Sequence, residues 1–376
     1  MSPFQKFQEW HQNRHQYAQE WKARTGGKVL GYFCTYVPEE ILYAADVLPV
    51  RILGSHEPED VTEPHIFAMF CPFCRDCLAQ GLKGRFDYLD GIMISQSCLH
   101  IRQAFWSWQL HIPTSFSYYL PMPHHVQSPR AQDYLRGELA QFKGAVEGWT
   151  GRTLTDADLD RGMEIMNTNR RLMKQVYELR KAPNPPLVGA DAMEMVLSSQ
   201  MTDKREHNQE LAALLEKLPQ QKRDGDPPVR LMIIGSEDDD VAFIKMAESL
   251  GAVFVSDDHC TGTRYFWNEA LPQEDRLMAI AQRYLDRTPC PTKDWPERRR
   301  FQQILRLAKE YGVQGALLIQ QKFCDPHESD IPQLARLLKE NGIPSYFLEF
   351  DMTVPLGPFR TRVEAFLETL REEDLF

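Results

Sequence analysis

The sequence predicts an α/β protein in which a helical segment joins two open, mostly parallel sheets. Short apolar runs alternate with helical stretches in two parts of the chain, and this alternation is typical of parallel sheets. Between those parts, from about residue 128 to 222, the strand pattern disappears. The length of 376 residues also exceeds what one hydrophobic core usually organises, so several domains are expected.

The first sheet is predicted to follow an N-terminal helix. Residues 3–24 place aromatic side chains from Phe4 to Tyr17 near helical spacing, and Gly26 and Gly27 end that helix. Pro38 and the acidic residues after it favour a helix start. The predicted strands are 28–33, 48–53, 88–95 and 113–119, with helices at 38–45 and 71–82.

The middle of the chain is predicted to be helical. Thr155 and Asp158 form a capping-box pattern in front of an apolar stripe of helical period, and the proline-rich residues 183–186 end that helix. A second helical region extends to about Leu218. The polar stretch 222–228 then marks the predicted domain boundary.

The α/β pattern resumes after this boundary and predicts a second sheet. Both sheets are expected to be of the Rossmann or flavodoxin-like kind. The predicted strands are 229–234, 252–256, 315–319 and 345–350, with helices near 238–250, 272–287, 296–311 and 331–341. The predicted parts are an N-terminal helix (1–27), a first α/β domain (28–127), a helical segment (128–225) and a second α/β domain with a C-terminal helix (226–376).

Composition excludes several classes of function. The net charge of −10 argues against a nucleic-acid partner, because phosphate backbones require a clustered positive surface. No stretch approaches the ~20 apolar residues that cross a bilayer, and the N-terminus lacks the apolar core of an export signal. A cytoplasmic location without membrane contact is therefore expected.

Four of the eight cysteines follow predicted strands directly. Cys34, Cys98, Cys260 and Cys324 lie just past strand ends, where open α/β sheets bind their ligands. Disulfides are not expected in a reducing compartment, which leaves packing, metal ligation or catalysis. Because free cysteine is also a common core residue, position alone does not say which of them are ligands.

The spacing of Cys71, Cys74 and Cys77 matches the start of a bacterial ferredoxin motif. The fourth position of that motif would be residue 81, which is glycine. A zinc site lacks the second cysteine pair or the paired histidines that it would need. The local pattern therefore indicates a metal site without identifying it.

Six segments carry a similarity that extends in order over almost the whole chain. They are GYFCTYVPEEIL (31–42), LPVR (48–51), FCPFCR (70–75), DDHCTGTRYF (257–266), FCD (323–325) and RTRVEAFL (360–367). Together they resemble the 2-hydroxyacyl-CoA dehydratase and benzoyl-CoA reductase family, and the first segment looks most like the smaller active-site subunit, the C type, of ATP-dependent benzoyl-CoA reductases.

The resemblance implies a [4Fe–4S] cluster with Cys34, Cys71 and Cys324 as its ligands and one iron left open. Cys74 and Cys77 then become supporting or packing residues. The implied reaction is the two-electron reduction of benzoyl-CoA to cyclohexa-1,5-diene-1-carbonyl-CoA. Its implied partners are a homologous cluster-bearing subunit, ATPase activator subunits with their own [4Fe–4S] cluster, and reduced ferredoxin. The chain has no P-loop motif, which agrees with ATP hydrolysis on another protein.

Other residues near the cysteines are candidates for proton transfer and CoA binding. His100 and His259 adjoin post-strand cysteines, and Glu40 lies close to Cys34, so these three are the catalytic candidates. Arg102 and Arg264 are candidate contacts of the CoA phosphates, because post-strand loops leave backbone N–H groups free.

Three alternatives to the reductase remain open at this point. A subunit of a 2-hydroxyacyl-CoA dehydratase would eliminate water through a ketyl radical. A partner subunit would carry a cluster without binding substrate. A metal-free acyl-CoA-binding protein would use the cysteines only for packing.

Overall fold

The computed structural model describes residues 2–57, 61–220 and 228–373 of the chain. It contains eight strands within these ranges. They are β1 (Val29–Tyr32), β2 (Leu48–Arg51), β3 (Gly91–Ser95), β4 (Phe116–Leu120), β5 (Val229–Gly235), β6 (Ala252–Asp258), β7 (Gly315–Gln321) and β8 (Ser345–Phe350).

The strands form two parallel sheets with the same topology. The first has the order β2-β1-β3-β4, and the second repeats it as β6-β5-β7-β8. Each pairing within them is parallel, for example Leu30 with Pro49 on one side and with Gly91 on the other. The predicted α/β class with two open parallel sheets is therefore confirmed.

Fifteen α-helices occupy the described residues. They are α1 (Gln5–Gln12), α2 (Arg14–Thr25), α3 (Glu39–Ala44), α4 (Pro72–Leu82), α5 (Leu99–His111), α6 (Ala131–Thr150), α7 (Asp156–Glu178), α8 (Gly189–Ser199), α9 (Lys204–Leu215), α10 (Val241–Glu248), α11 (Thr263–Phe266), α12 (Arg276–Asp286), α13 (Arg299–Glu310), α14 (Asp325–Glu340) and α15 (Leu356–Glu373). Short 3-10 turns lie at Leu179–Lys181, Leu218–Gln220 and Pro291–Lys293.

Two predicted helices differ from the observed ones. The helix predicted over 3–24 is interrupted at Asn13, which gives α1 and α2. The helix predicted at 331–341 begins earlier, at Asp325, with Pro326 in its first turn. Proline is well tolerated there, because the first N–H groups of a helix have no partner inside the helix.

The helical middle of the chain packs against both sheets. Helix α7 begins with the predicted capping box, in which Thr155 and Asp158 bond each other's backbone N–H groups, and it packs closely on α3. Helix α8 shares an apolar cluster with β5 and β6 of the second sheet. Helix α12 comes from the second half of the sequence, yet its buried face packs in the cluster that contains β1 and α3.

The four-part division of the chain stays a prediction, and the limit at 225/226 lies outside the described residues. No helix in the described ranges combines the length and apolarity that crossing a membrane requires.

Candidate functional site

The carboxyl ends of both sheets line one buried cavity of about 80 Å³. Each sheet contributes residues that follow its two central strands, β1 and β3 in one and β5 and β7 in the other. The strand order reverses between these two central strands in each sheet. The connections that follow them therefore run over opposite faces of the sheet, which leaves a crevice at their carboxyl ends. Seven of the eight cysteines line the cavity: Cys34, Cys71, Cys74, Cys98, Cys260, Cys290 and Cys324.

Three of these cysteines occupy the N-cap positions of helices. Cys71 precedes α4, Cys98 precedes α5 and Cys324 precedes α14. The positive end of a helix dipole stabilises a thiolate at this position. Cys74 lies in the first turn of α4. We call these four residues the helix-cap thiols.

The helix-cap thiols shift one another's pKa values. Cys71 interacts with Cys324 and Cys74, and Cys74 also interacts with Cys98. The interactions with Cys324 and Cys74, with the N–H groups of α4, hold the pKa of Cys71 well below its ordinary value despite burial. The interaction with Cys74 likewise lowers the pKa of Cys98. The site therefore favours negative charge on two sulfurs at helix ends.

The remaining three cysteines of the cavity, Cys34, Cys260 and Cys290, are called the inner thiols. Burial raises the pKa of each of them. Cys34 is hydrogen bonded to the Ser97 side chain, and it interacts electrostatically with Cys260 and Cys290. The structure thus brings the three predicted ligands, Cys34, Cys71 and Cys324, to one cavity although they are far apart in sequence.

Buried charges surround the inner thiols. The Arg51 guanidinium donates to Glu237 at 2.9 Å, and both side chains line the cavity. Burial raises the pKa of Glu237, although Arg51 opposes that shift. Arg264 is 1% exposed, and two of its side-chain nitrogens, Nε and Nη1, have no hydrogen-bond partner. The cavity can therefore stabilise an anionic group.

No three or more His, Cys, Asp or Glu side chains among the described residues are placed to hold a single metal ion. An iron–sulfur cluster makes a different demand, because each cysteine binds a different iron atom and the sulfurs need not converge on one point. The donor set fits such a group: buried thiols, two with lowered pKa values, beside helix N-termini and buried cations. One water needs roughly 10–15 Å³ of such space, so the cavity holds a group of several atoms.

His100 lies at the outer side of the cavity. Its Nδ1 accepts a hydrogen bond of 3.1 Å from the Cys71 backbone N–H, and its Nε2 is 3.8 Å from the Asp325 carboxylate. His100 lines a second, larger cavity of about 310 Å³, which shares Cys71, Cys98 and Cys324 with the first. We call this second cavity the vestibule. Because Nδ1 accepts, a neutral His100 carries its proton on Nε2, the nitrogen nearest Asp325.

His259 and Glu40 do not line either cavity. His259 is buried, both ring nitrogens lack partners, and burial with Arg264 nearby lowers its pKa well below the ordinary value. Glu40 accepts from Arg170 at 2.6 Å and from the Tyr284 hydroxyl. Burial opposes its charge, yet Arg170 holds the pKa of Glu40 below its ordinary value. The catalytic role of both residues stays a prediction.

The two arginines predicted to contact CoA have different surroundings. Arg264 forms part of the cavity wall and donates to the Gly235 carbonyl at 3.0 Å, so it is enclosed with the cysteines. Arg102 is half-buried on α5 and interacts electrostatically with His124, which lines the vestibule. A role in CoA binding stays a prediction for each.

Sequence reasoning missed several residues of the cavity. Cys290 follows α12 rather than a strand, so the strand-end rule did not find it. Arg51 ends β2 and Glu237 follows β5, so the position of both residues at strand ends is the signal in the sequence that could have identified them. Cys77 lies outside the cavity, and its Sγ donates to the Ile52 carbonyl.

Residues 34–370 match a family model described as 2-hydroxyglutaryl-CoA dehydratase, D-component. The chain is 27% identical to the (R)-phenyllactyl-CoA dehydratase beta subunit of Clostridium sporogenes, over 98% of each chain. It is also 27% identical to the C-type subunit of benzoyl-CoA reductase from Thauera aromatica, over 94% of each. The beta subunit of (R)-2-hydroxyglutaryl-CoA dehydratase from Acidaminococcus fermentans is 27% identical, over 93% of this chain and 94% of its own.

Proposed function

Because the chain belongs to the 2-hydroxyglutaryl-CoA dehydratase D-component family, we propose that it is a [4Fe–4S]-bearing subunit of a complex that transfers electrons to an acyl-CoA thioester. The observation that carries the proposal is the convergence of seven thiols on one buried cavity at the facing ends of two parallel sheets. The match over most of the chain to subunits that are named for acyl-CoA reactions supports the substrate class.

Cys34, Cys71 and Cys324 would hold the cluster. Cys71 and Cys324 are N-cap residues, where the dipoles of α4 and α14 favour negative charge. In the metal-free protein this charge lies on Cys71, because the contact with Cys71 and burial raise the pKa of Cys324 well above its ordinary value. When bound, a cluster with three protein thiolates supplies low-potential electron transfer and one iron without a protein ligand. The thiols and the apolar side chains of Phe33 and Ile101 are buried around the cavity of about 80 Å³, and they limit the access of water to it.

Substrate would approach through the vestibule, where His100 binds and orients it. The Nε2–H of a neutral His100 is available there to donate a hydrogen bond to a thioester carbonyl, or to transfer a proton. Asp325 lies 3.8 Å from this nitrogen and favours the ring orientation in which Nδ1 holds the Cys71 N–H. His100 therefore lies between the cavity lined by the thiols and the vestibule in which the substrate would bind.

For the reaction we propose two-electron reduction of benzoyl-CoA to cyclohexa-1,5-diene-1-carbonyl-CoA. The similarity to the C-type subunit of benzoyl-CoA reductase over 94% of both chains supports this choice. The complex would include a homologous cluster-bearing subunit, ATPase activator subunits with their own [4Fe–4S] cluster, and reduced ferredoxin as electron donor.

Dehydration of a 2-hydroxyacyl-CoA is the second candidate reaction. Its support is the equal identity, 27%, to the beta subunits of phenyllactyl-CoA and 2-hydroxyglutaryl-CoA dehydratases. Both reactions place an electron on a thioester carbonyl, so the site described above serves either of them.

A spectroscopic assay separates the two reactions. The anaerobically purified complex, with its partner subunits, a strong reductant and ATP, is expected to remove the aromatic absorbance of benzoyl-CoA. It should leave (R)-phenyllactyl-CoA and (R)-2-hydroxyglutaryl-CoA unchanged. Loss of water from either hydroxyacyl-CoA, with the benzoyl-CoA absorbance unchanged, would replace the reductase by the dehydratase. Inactivity towards all three would contradict both candidates.

A further inference from the structure

The cavity contains more thiols than one [4Fe–4S] cluster with three protein ligands uses. After Cys34, Cys71 and Cys324 are assigned, four remain at the same cavity: Cys74, Cys98, Cys260 and Cys290. A single buried cysteine is ordinary packing. Six of the seven also pack in or against the apolar clusters of the first sheet, whereas the two clusters around β5 to β8 contain no cysteine among the described residues. Packing alone does not explain why seven of the eight cysteines surround one cavity of about 80 Å³.

Three of the four remaining thiols have positions suited to ligation. Cys98 is the N-cap residue of α5 and lines both the cavity and the vestibule. Cys260 follows β6, and Cys290 lies on the loop after α12. Cys74 differs, because it lies within the first turn of α4 rather than at a helix cap or on a loop.

Buried positive charge provides a second, independent observation. Two side-chain nitrogens of Arg264 have no hydrogen-bond partner. The nearest carboxylate, Asp258, lies 3.7 Å from Arg264 but only 2.7 Å from Arg300, with which it forms the closer ion pair. Arg287 donates only to the Thr35 backbone and hydroxyl oxygens among the described residues. A buried cation requires an anionic counterpart, since its transfer from water is otherwise costly.

The same cations interact with the inner thiols. Arg264 and Arg287 both act electrostatically on Cys260, and Arg264 acts on Cys290. Lys293, which is 1% exposed and donates to the Pro123 carbonyl, interacts with Cys290, Cys34 and Cys98. Arg264 shares its carboxylate, Asp258, with Arg300, and no carboxylate pairs with Arg287 or Lys293 among the described residues. Thiolates that bind iron would add negative charge next to these cations.

We propose that Cys98, Cys260 and Cys290 form a second set of iron ligands, so that the two sheets enclose an iron–sulfur centre with more than four irons. The proposal rests on the proposed function only in that the cavity binds iron and sulfide. The vestibule of about 310 Å³ is lined by Cys98 and by Thr292, two residues after Cys290. Additional space for a larger centre therefore lies next to this second set of cysteines.

Iron and acid-labile sulfide per chain test the proposal on the full-length protein purified without oxygen. We expect about eight irons per chain, twice the content of one [4Fe–4S] cluster. The Cys260→Ser/Cys290→Ser double variant is expected to retain about four. Cys77→Ser is the matched control, because Cys77 is a buried cysteine of the same region outside the cavity, and it should retain the wild-type content.

Four irons in the wild type, with the same four in the double variant, would overturn the second ligand set and leave the proposed function intact. An iron-free wild-type protein would contradict both. If the double variant does not fold by circular dichroism, the wild-type content and a Cys98→Ser variant, expected to lose about half of the iron, decide the question.

Discussion

Cys71 has the most specialised surroundings of any side chain at the site. Two neighbouring thiols, Cys324 and Cys74, lower the pKa of its sulfur, its backbone N–H donates to His100, and it is the N-cap residue of α4. The sequence could identify such a residue, because a cysteine at a predicted helix start is visible in the pattern. It could not identify the charges around it: Arg287 reaches the Thr35 oxygens across 252 residues of chain, and no local pattern encodes that contact.

Arg170 provides a test of the buried charges at the scale of one residue. Its guanidinium is 2% exposed and donates to Glu40 at 2.6 Å, and Glu40 is fully buried. Arg170→Met should lower the free energy of unfolding by about 3–5 kcal/mol, because it leaves a buried carboxylate unpaired. Urea denaturation measures the change.

Arg171→Met is the matched control for that prediction. Arg171 is the next residue of α7, and its ion pairs to Glu164 and Glu269 are exposed to solvent, so the loss should be no more than about 1 kcal/mol. Equal losses in the two variants would show that the Glu40–Arg170 pair does not hold α3 to α7.

At the scale of elements, the strands were predictable and some helix limits were not. The eight strands are short and rich in apolar and aromatic residues, and all but the edge strands β4 and β8 are largely buried, so their composition identifies them. Helix α5 was not predicted, because Trp106 and Leu110 are exposed and blur the apolar stripe that marks an amphipathic helix. Helix α14 begins before its predicted start because the polar first turn, Asp325 to Glu328, carries no apolar signal.

The contact between α3 and α7 depends on a glycine. A Cβ atom at Gly162 would lie 2.1 Å from the Glu40 backbone oxygen. Gly162→Ala should therefore destabilise the protein by about 1–3 kcal/mol through overpacking, although alanine favours a helix interior. Thermal or urea unfolding measures the effect.

Gly144→Ala is the corresponding control on α6. No atom lies within 4 Å of a Cβ there, so the helix propensity of alanine should stabilise the protein by up to about 1 kcal/mol. Stabilisation by both substitutions would contradict the close approach of α3 and α7.

At the scale of the whole molecule, two sheets of identical topology face one cavity with their carboxyl ends. The sequence predicted the sheets and the cysteines at their ends, and the general rule for ligand sites in open sheets predicted that these ends form the site. The sequence pattern could not predict that α12 packs in the apolar cluster that contains β1 and α3, because that contact joins segments more than 200 residues apart. The site therefore depends on how both halves of the chain pack together.

The most direct test of this account is the iron content and reduced-state electron paramagnetic resonance spectrum of the protein purified without oxygen. The wild type and Cys77→Ala should both contain iron and sulfide and give an iron–sulfur signal. Cys324→Ala should lose most of the iron and change or abolish the signal, because Cys324 caps α14 at the cavity. Full iron content and an unchanged signal in Cys324→Ala would contradict the assignment of the ligands.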